Sequence, residues 1–214
     1  MIEEVKERLA LVRDKIARIR NPHDIVIVAV TKSFGVETCR AALAAGLRVL
    51  GENRVHEAIL KMDEVPDAEW HLIGHLQTNK VRQAAGRFAL IHSVDSVRLA
   101  TELARLDPHQ AVLLEVNVAR EPQKHGADPD RAQEAITAIA SLIELRGLMA
   151  MGPSQGDPAP AFRELRQMRD EAEQRLGKSL PVLSMGMSGD FEVAVAEGST
   201  MLRLGQALFG PRPS

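Results

Sequence analysis

Val26-Ile27-Val28-Ala29-Val30-Thr31-Lys32-Ser33-Phe34-Gly35 is the stretch on which the fold turns. Its apolar run lacks polar alternation, as a parallel strand covered on both faces should. An open doubly wound sheet would follow such a strand with a GxGxxG turn. The turn here has no such fingerprint and instead carries Lys32 just past the strand end. Seven further apolar runs follow, at 47–50, 70–73, 89–92, 111–118, 143–149, 180–183 and 201–204. Strand starts recurring every ~20 to 40 residues have the rhythm of a (β/α)8 barrel near the short end of its size range. A doubly wound sheet usually needs fewer strands, so the expected fold is α/β, a single TIM barrel.

The gaps between the runs carry helix signals. Residues 36–45 stop at Gly46, 81–85 at Gly86 and 161–176 at Gly177, while 191–196 end at Glu197-Gly198. Asp95-Ser96 can cap 97–106, and Asp128-Pro129 offers a cap with proline at the first helical position. Ahead of the first strand, Ile2, Val5, Leu9, Val12, Ile16 and Ile19 recur at three- and four-residue spacing. They define an extra amphipathic helix over 1–20 that packs on the barrel. The Pro/Gly-rich loop 152–158 is too short to divide the chain, so 1–214 reads as one domain.

Composition narrows the classes of function. Apolar residues make up 45 %, which excludes a disordered chain. A net charge of −2, with basic residues dispersed, gives no electrostatic case for nucleic acid or an anionic membrane. No apolar segment is long enough to span a bilayer, and the N-terminus lacks a signal-peptide core. The single cysteine, Cys39, fits a reducing cytoplasm and reads as a packed helix residue rather than a nucleophile.

A barrel keeps its chemistry at the C-terminal strand ends and its phosphate sites in the loops after strands seven and eight. Ser184-Met185-Gly186-Met187-Ser188 follows the seventh run and Gly205-Gln206 the eighth. Small and hydroxylated residues there let backbone N–H groups approach an anion. Closing the barrel makes strands one and eight neighbours, bringing Lys32 and Arg203 to one mouth. A phosphate cradle, an inward arginine and a lysine suited to Schiff-base chemistry suggest an aldehyde-bearing phosphate cofactor. His71 and His75 span a strand and its turn rather than one helical face, so no metal site is expected. Glu115 and Asn117 alternate with Val116, and both inward and structural roles fit them.

Taken in order, Val30-Thr31-Lys32, Gly51-Glu52-Asn53, Trp70-His71-Leu72-Ile73-Gly74-His75-Leu76-Gln77-Thr78-Asn79-Lys80, Ser93-Val94-Asp95, Gly147-Leu148-Met149, Ser184–Ser188 and Arg203-Leu204-Gly205 resemble the pyridoxal phosphate homeostasis proteins over almost the whole chain. The resemblance implies a fold-type III barrel like the N-terminal domain of alanine racemase, with pyridoxal 5'-phosphate (PLP) as cofactor. By position, Lys32 resembles the Schiff-base lysine, Ser188 and Gly205 the phosphate ligands with Ser184 beside them, Arg203 the partner of the pyridine nitrogen, and Asn53 a residue near the ring. Arg54 departs from the pattern, since many members carry tyrosine after Gly-Glu-Asn.

Arg203 in place of a carboxylate leaves the pyridine nitrogen unprotonated and weakens the cofactor's electron sink. The chain has no tyrosine, so the racemase route with lysine and tyrosine as opposed bases is closed. The leading expectation is a cytoplasmic, monomeric, non-catalytic protein that buffers PLP or delivers it to apo PLP-dependent enzymes. The alternatives are a racemase- or lyase-like enzyme using Lys32 with His75 or Cys39, and a cofactor-free Schiff-base barrel for a phosphorylated sugar.

Overall fold

The computed structural model describes residues 1–211. Eight parallel strands close into a barrel in sequence order: β1 Val26–Val30, β2 Val49–Glu52, β3 Glu69–Leu72, β4 Leu90–Val94, β5 Ala111–Glu115, β6 Glu144–Met149, β7 Val182–Ser184 and β8 Met201–Leu204. β1 pairs with β8 in the register Val28↔Arg203, which closes the ring. The helices are α1 Ile2–Ala17, α2 Val36–Ala44, α3 Val55–Glu64, α4 Val81–Ala84, α5 Val97–Ala104, α6 Ala132–Ala140, α7 Ala159–Leu176, α8 Phe191–Ala196 and α9 Gln206–Phe209. The (β/α)8 expectation holds.

The strands are short because each needs only to span the barrel wall. β2 runs two residues later than its apolar run, drawing Gly51 and Glu52 into the sheet. β5 stops at Glu115; the chain then turns, with Asn117 Nδ2 donating to the Glu121 carbonyl at 2.9 Å. α3 has no counterpart among the helices expected from sequence. Its inner face carries Lys61, which interrupts the apolar spacing, and its N-cap Arg54 offers no side-chain cap.

One hydrophobic layer lies between strands and helices, and α1 contributes Val5, Leu9, Val12 and Ile16 to it. A smaller group inside the barrel comprises Val28, Leu90, Leu113, Met149 and Met201. Burying an aliphatic side chain of this size is worth about 1.5–3 kcal/mol, so the two layers supply the main driving force for closure. The remaining inward positions are unusually polar, and they lead to the site.

Candidate cofactor site

A cavity of about 490 Å3 opens at the C-terminal end of the barrel and is lined by Lys32, Asn53, Glu115, Ser188, Arg203 and Gly205. Residues predicted from opposite ends of the chain therefore meet. Val30, Ile73, Gly74, His75, His125, Met151, Met187, Gly189 and Gln206 complete the wall. Ser184 is not part of it: the side chain is fully buried, and its Oγ is occupied by Arg203 and His92. Ser184 therefore corrects the expectation of a phosphate ligand, because its hydroxyl faces Arg203 from within the barrel.

Arg203 is held by three oxygens. Nη1 donates to the Ser184 carbonyl and Oγ, both at 2.7 Å, and Nη2 donates to the Ala150 carbonyl at 2.9 Å. Burial lowers the guanidinium pKa to about 10, with Glu115 and Asp190 opposing the shift, so it stays cationic at neutral pH. Nε–H and the second Nη2 hydrogen have no acceptor among the described residues, leaving donors for a cavity occupant.

The anion-binding end is built from amides. Among the described residues, no acceptor takes the N–H groups of Ser188, Gly189, Gly205 or Gln206. Ser188 Oγ accepts from Ala207 N at 3.0 Å, and Asp190 Oδ1 accepts from Met187 N at 2.6 Å, tying the two loops in place. Gly186 has φ +98°, and a Cβ there would lie 2.6 Å from the Ala194 Cβ, so the turn requires glycine.

Lys32 follows β1 on a tight turn in which Phe34 N donates to the Thr31 carbonyl and Ser33 has φ 68°. A buried cluster sits beneath that turn. Lys61 Nζ donates to the Thr31 carbonyl at 2.9 Å and to Glu52 Oε1 at 2.6 Å, and Thr31 Oγ1 donates to Glu52 Oε1 at 2.7 Å. Sequence reasoning missed this pair because Lys61 lies on the unrecognised α3. Cys39 is buried nearby; burial raises its thiol pKa, and it does not line the cavity. Asn53 is pinned by Gly74, where an added Cβ would fall 2.3 Å from the Asn53 carbonyl oxygen.

On the rim, His75 and His125 stack at 4.0 Å with planes 10° apart, and His75 Nδ1 lies 3.4 Å from Asp95 Oδ2. His75, Asp95 and His125 each bring a possible ligand atom within 4.8 Å of the others. The nearly parallel rings keep their in-plane lone pairs side by side, whereas two ligands of one ion need them to converge. Arg54 is exposed and paired with Glu57 at 2.9 Å, and it lines an adjoining hollow rather than the cavity. Glu115 is buried, and desolvation raises its carboxyl to about 7, against the opposing charge of Arg203.

The donor set fits a phosphorylated pyridine aldehyde: unpaired amides and a hydroxyl at one end, an amine on the adjoining loop and guanidinium N–H groups deeper in. A family model for the alanine racemase N-terminal domain matches residues 8–213. The pyridoxal phosphate homeostasis protein of Aquifex aeolicus is 40% identical over 222 residues, covering 96% of this chain and 97% of that protein. This chain belongs to that family. The Escherichia coli member is 38% identical and covers 99% of this chain and 98% of its own length. Among solved structures, PipY of Synechococcus elongatus with PLP bound aligns at a TM-score of 0.86 and 37% identity, over 96% of this chain and all of PipY. Alanine racemase of Corynebacterium glutamicum aligns at 0.80 but only 18% identity, and this chain spans 62% of it. That likeness shows a shared barrel and nothing further.

Proposed function

We propose that the protein binds PLP and holds it in reserve, buffering it or handing it to apo PLP-dependent enzymes without turning over a substrate of its own. The observation that carries this reading is the convergence of Lys32, Arg203 and the Ser188–Gly205 amides on one cavity. Lys32 is the amine assigned to the aldehyde, and the four unpaired amides with Ser188 are assigned to the phosphate. Arg203 is the donor assigned to the pyridine nitrogen, and Asn53 borders the ring. PLP supplies an electron sink to amino groups bound to it. A permanent cation at Arg203 keeps the nitrogen unprotonated, which weakens that sink and favours storage over catalysis.

Borohydride reduction of PLP-treated protein, followed by peptide mass spectrometry, should place the cofactor on Lys32. A Lys32→Ala variant should lose the reducible link while retaining weaker, phosphate-anchored PLP. Label on another lysine in the wild type would overturn the assignment. Glu115 supports a second reading, a racemase- or lyase-like enzyme, because a buried carboxyl raised to about 7 in the cavity wall can exchange protons at neutral pH. Turnover of amino acids at ordinary enzymatic rates, lost in Glu115→Gln, would favour it over storage.

A further inference from the structure

A chain of polar side chains crosses the barrel interior from Arg203 to the opposite face. Ser184 Oγ lies 2.7 Å from Arg203 Nη1 and 3.0 Å from His92 Nδ1. His92 Nε2 lies 2.9 Å from His71 Nδ1, and His71 Nε2 lies 2.9 Å from Glu69 Oε1. Ser184, His92 and His71 are buried, whereas the Glu69 side chain is 54% exposed.

The ends fix the direction of every bond between them. Arginine can only donate, so Ser184 Oγ accepts from it and keeps its own proton to give. The available acceptor is His92 Nδ1, which places the His92 proton on Nε2. That proton goes to His71 Nδ1, which places the His71 proton on Nε2, facing the Glu69 carboxylate. The reversed arrangement strands the serine hydroxyl proton in a dry interior. Burial pushes His92 well below the ordinary histidine range, in keeping with a neutral ring, and the hydrogen bond from His71 lowers the Glu69 pKa.

We propose that Ser184, His92, His71 and Glu69 are positioning residues for Arg203, one unidirectional hydrogen-bond chain that fixes the guanidinium against the pyridine nitrogen of the cofactor. The last clause rests on the PLP reading, so the first measurement uses cofactor-free protein. In 15N-histidine-labelled protein, assigned with His71→Gln and His92→Gln, both rings should carry their proton on Nε2 at neutral pH. Glu69→Leu alone should leave His71 on the Nε2–H tautomer, because the Ser184 hydroxyl still sets the direction. Glu69→Leu with Ser184→Ala removes both ends and should give both rings a mixed tautomer population. Glu69→Gln with Ser184→Ala retains a carbonyl acceptor at one end and should restore the single tautomer.

With PLP added, Ser184→Ala should shift the visible absorption band and release the cofactor roughly tenfold faster, the loss expected of a hydrogen bond to a charged group. An Nδ1–H tautomer on His92, a single tautomer in the Glu69→Leu/Ser184→Ala double variant, or an unshifted band in Ser184→Ala would each overturn the proposal. Wild-type protein with the expected tautomers that takes up no PLP supports the chain and overturns the cofactor reading alone.

Discussion

Glu115→Gln should stabilise the cofactor-free protein at alkaline pH and leave it unchanged at acid pH. The carboxyl sits in the cavity wall with 3% of its surface exposed, and desolvation raises its pKa from an ordinary 4.5 to about 7, with Arg203 opposing the shift. The unfolded chain therefore releases this proton about 2.5 pH units earlier than the folded one. Below about pH 4.5 both states are protonated, and the carboxyl costs nothing. Between there and about pH 7 the unfolded state binds fewer protons, so stability falls as pH rises; above pH 7 the loss is complete. At 1.36 kcal/mol per unit it amounts to roughly 3 kcal/mol, and a neutral amide escapes it. For a chain of this size the melting temperature should rise by roughly 6–12 °C at pH 8. Urea denaturation of both proteins at pH 4.5, 6 and 8 tests the reasoning, and an equal difference at all three values refutes it.

Lys61→Met should cost about 3–5 kcal/mol, because it leaves the fully buried Glu52 carboxylate without its 2.6 Å partner. Adding Glu52→Gln should recover most of that in urea titrations, and a single variant within about 1 kcal/mol of wild type (a median surface-pair value) would reject the pairing argument. Gly186→Ala should lose about 2–5 kcal/mol, combining left-handed strain with the overlap against Ala194 and Leu202. Gly189→Ala, with nothing within 4 Å of its added Cβ, should be near neutral in the same thermal melts; similar losses for the two would sink the steric account.

The barrel was legible because its strands are buried on both faces and read as apolar runs whatever their exact limits. β2 was misplaced where that signal fails: Gly51 and Glu52 are sheet residues without apolar character. α3 was invisible for a related reason, since Lys61 occupies its inward face and becomes acceptable only once Glu52 and the Thr31 carbonyl are beside it. Lys32 and Arg203 could be joined from sequence because strand order alone makes β1 and β8 neighbours. The relay could not. His71 and His92 belong to separate strands, and only the registers His71↔Leu90 and Met149↔Ser184 bring His92 and Ser184 into line. Period-two reading of Glu69-Trp70-His71 and Leu90-Ile91-His92 was the available signal, because it puts these polar residues on the barrel's inner face. Ser184 was misassigned because a serine at a strand end looks the same from sequence whether it faces a cavity or an arginine.

The three oxygens around Arg203 also limit what this scaffold can become. Two of them are main-chain carbonyls, of Ala150 and Ser184, and no side-chain replacement can remove them. A carboxylate introduced at position 203 would confront lone pairs where the guanidinium finds acceptors. On the proposed pairing of Arg203 with the pyridine nitrogen, a protonated ring would require moving strand ends as well as changing a codon. The preference for a cation at this position is written into the main chain, and a lineage that replaced it would have to rebuild the frame around it.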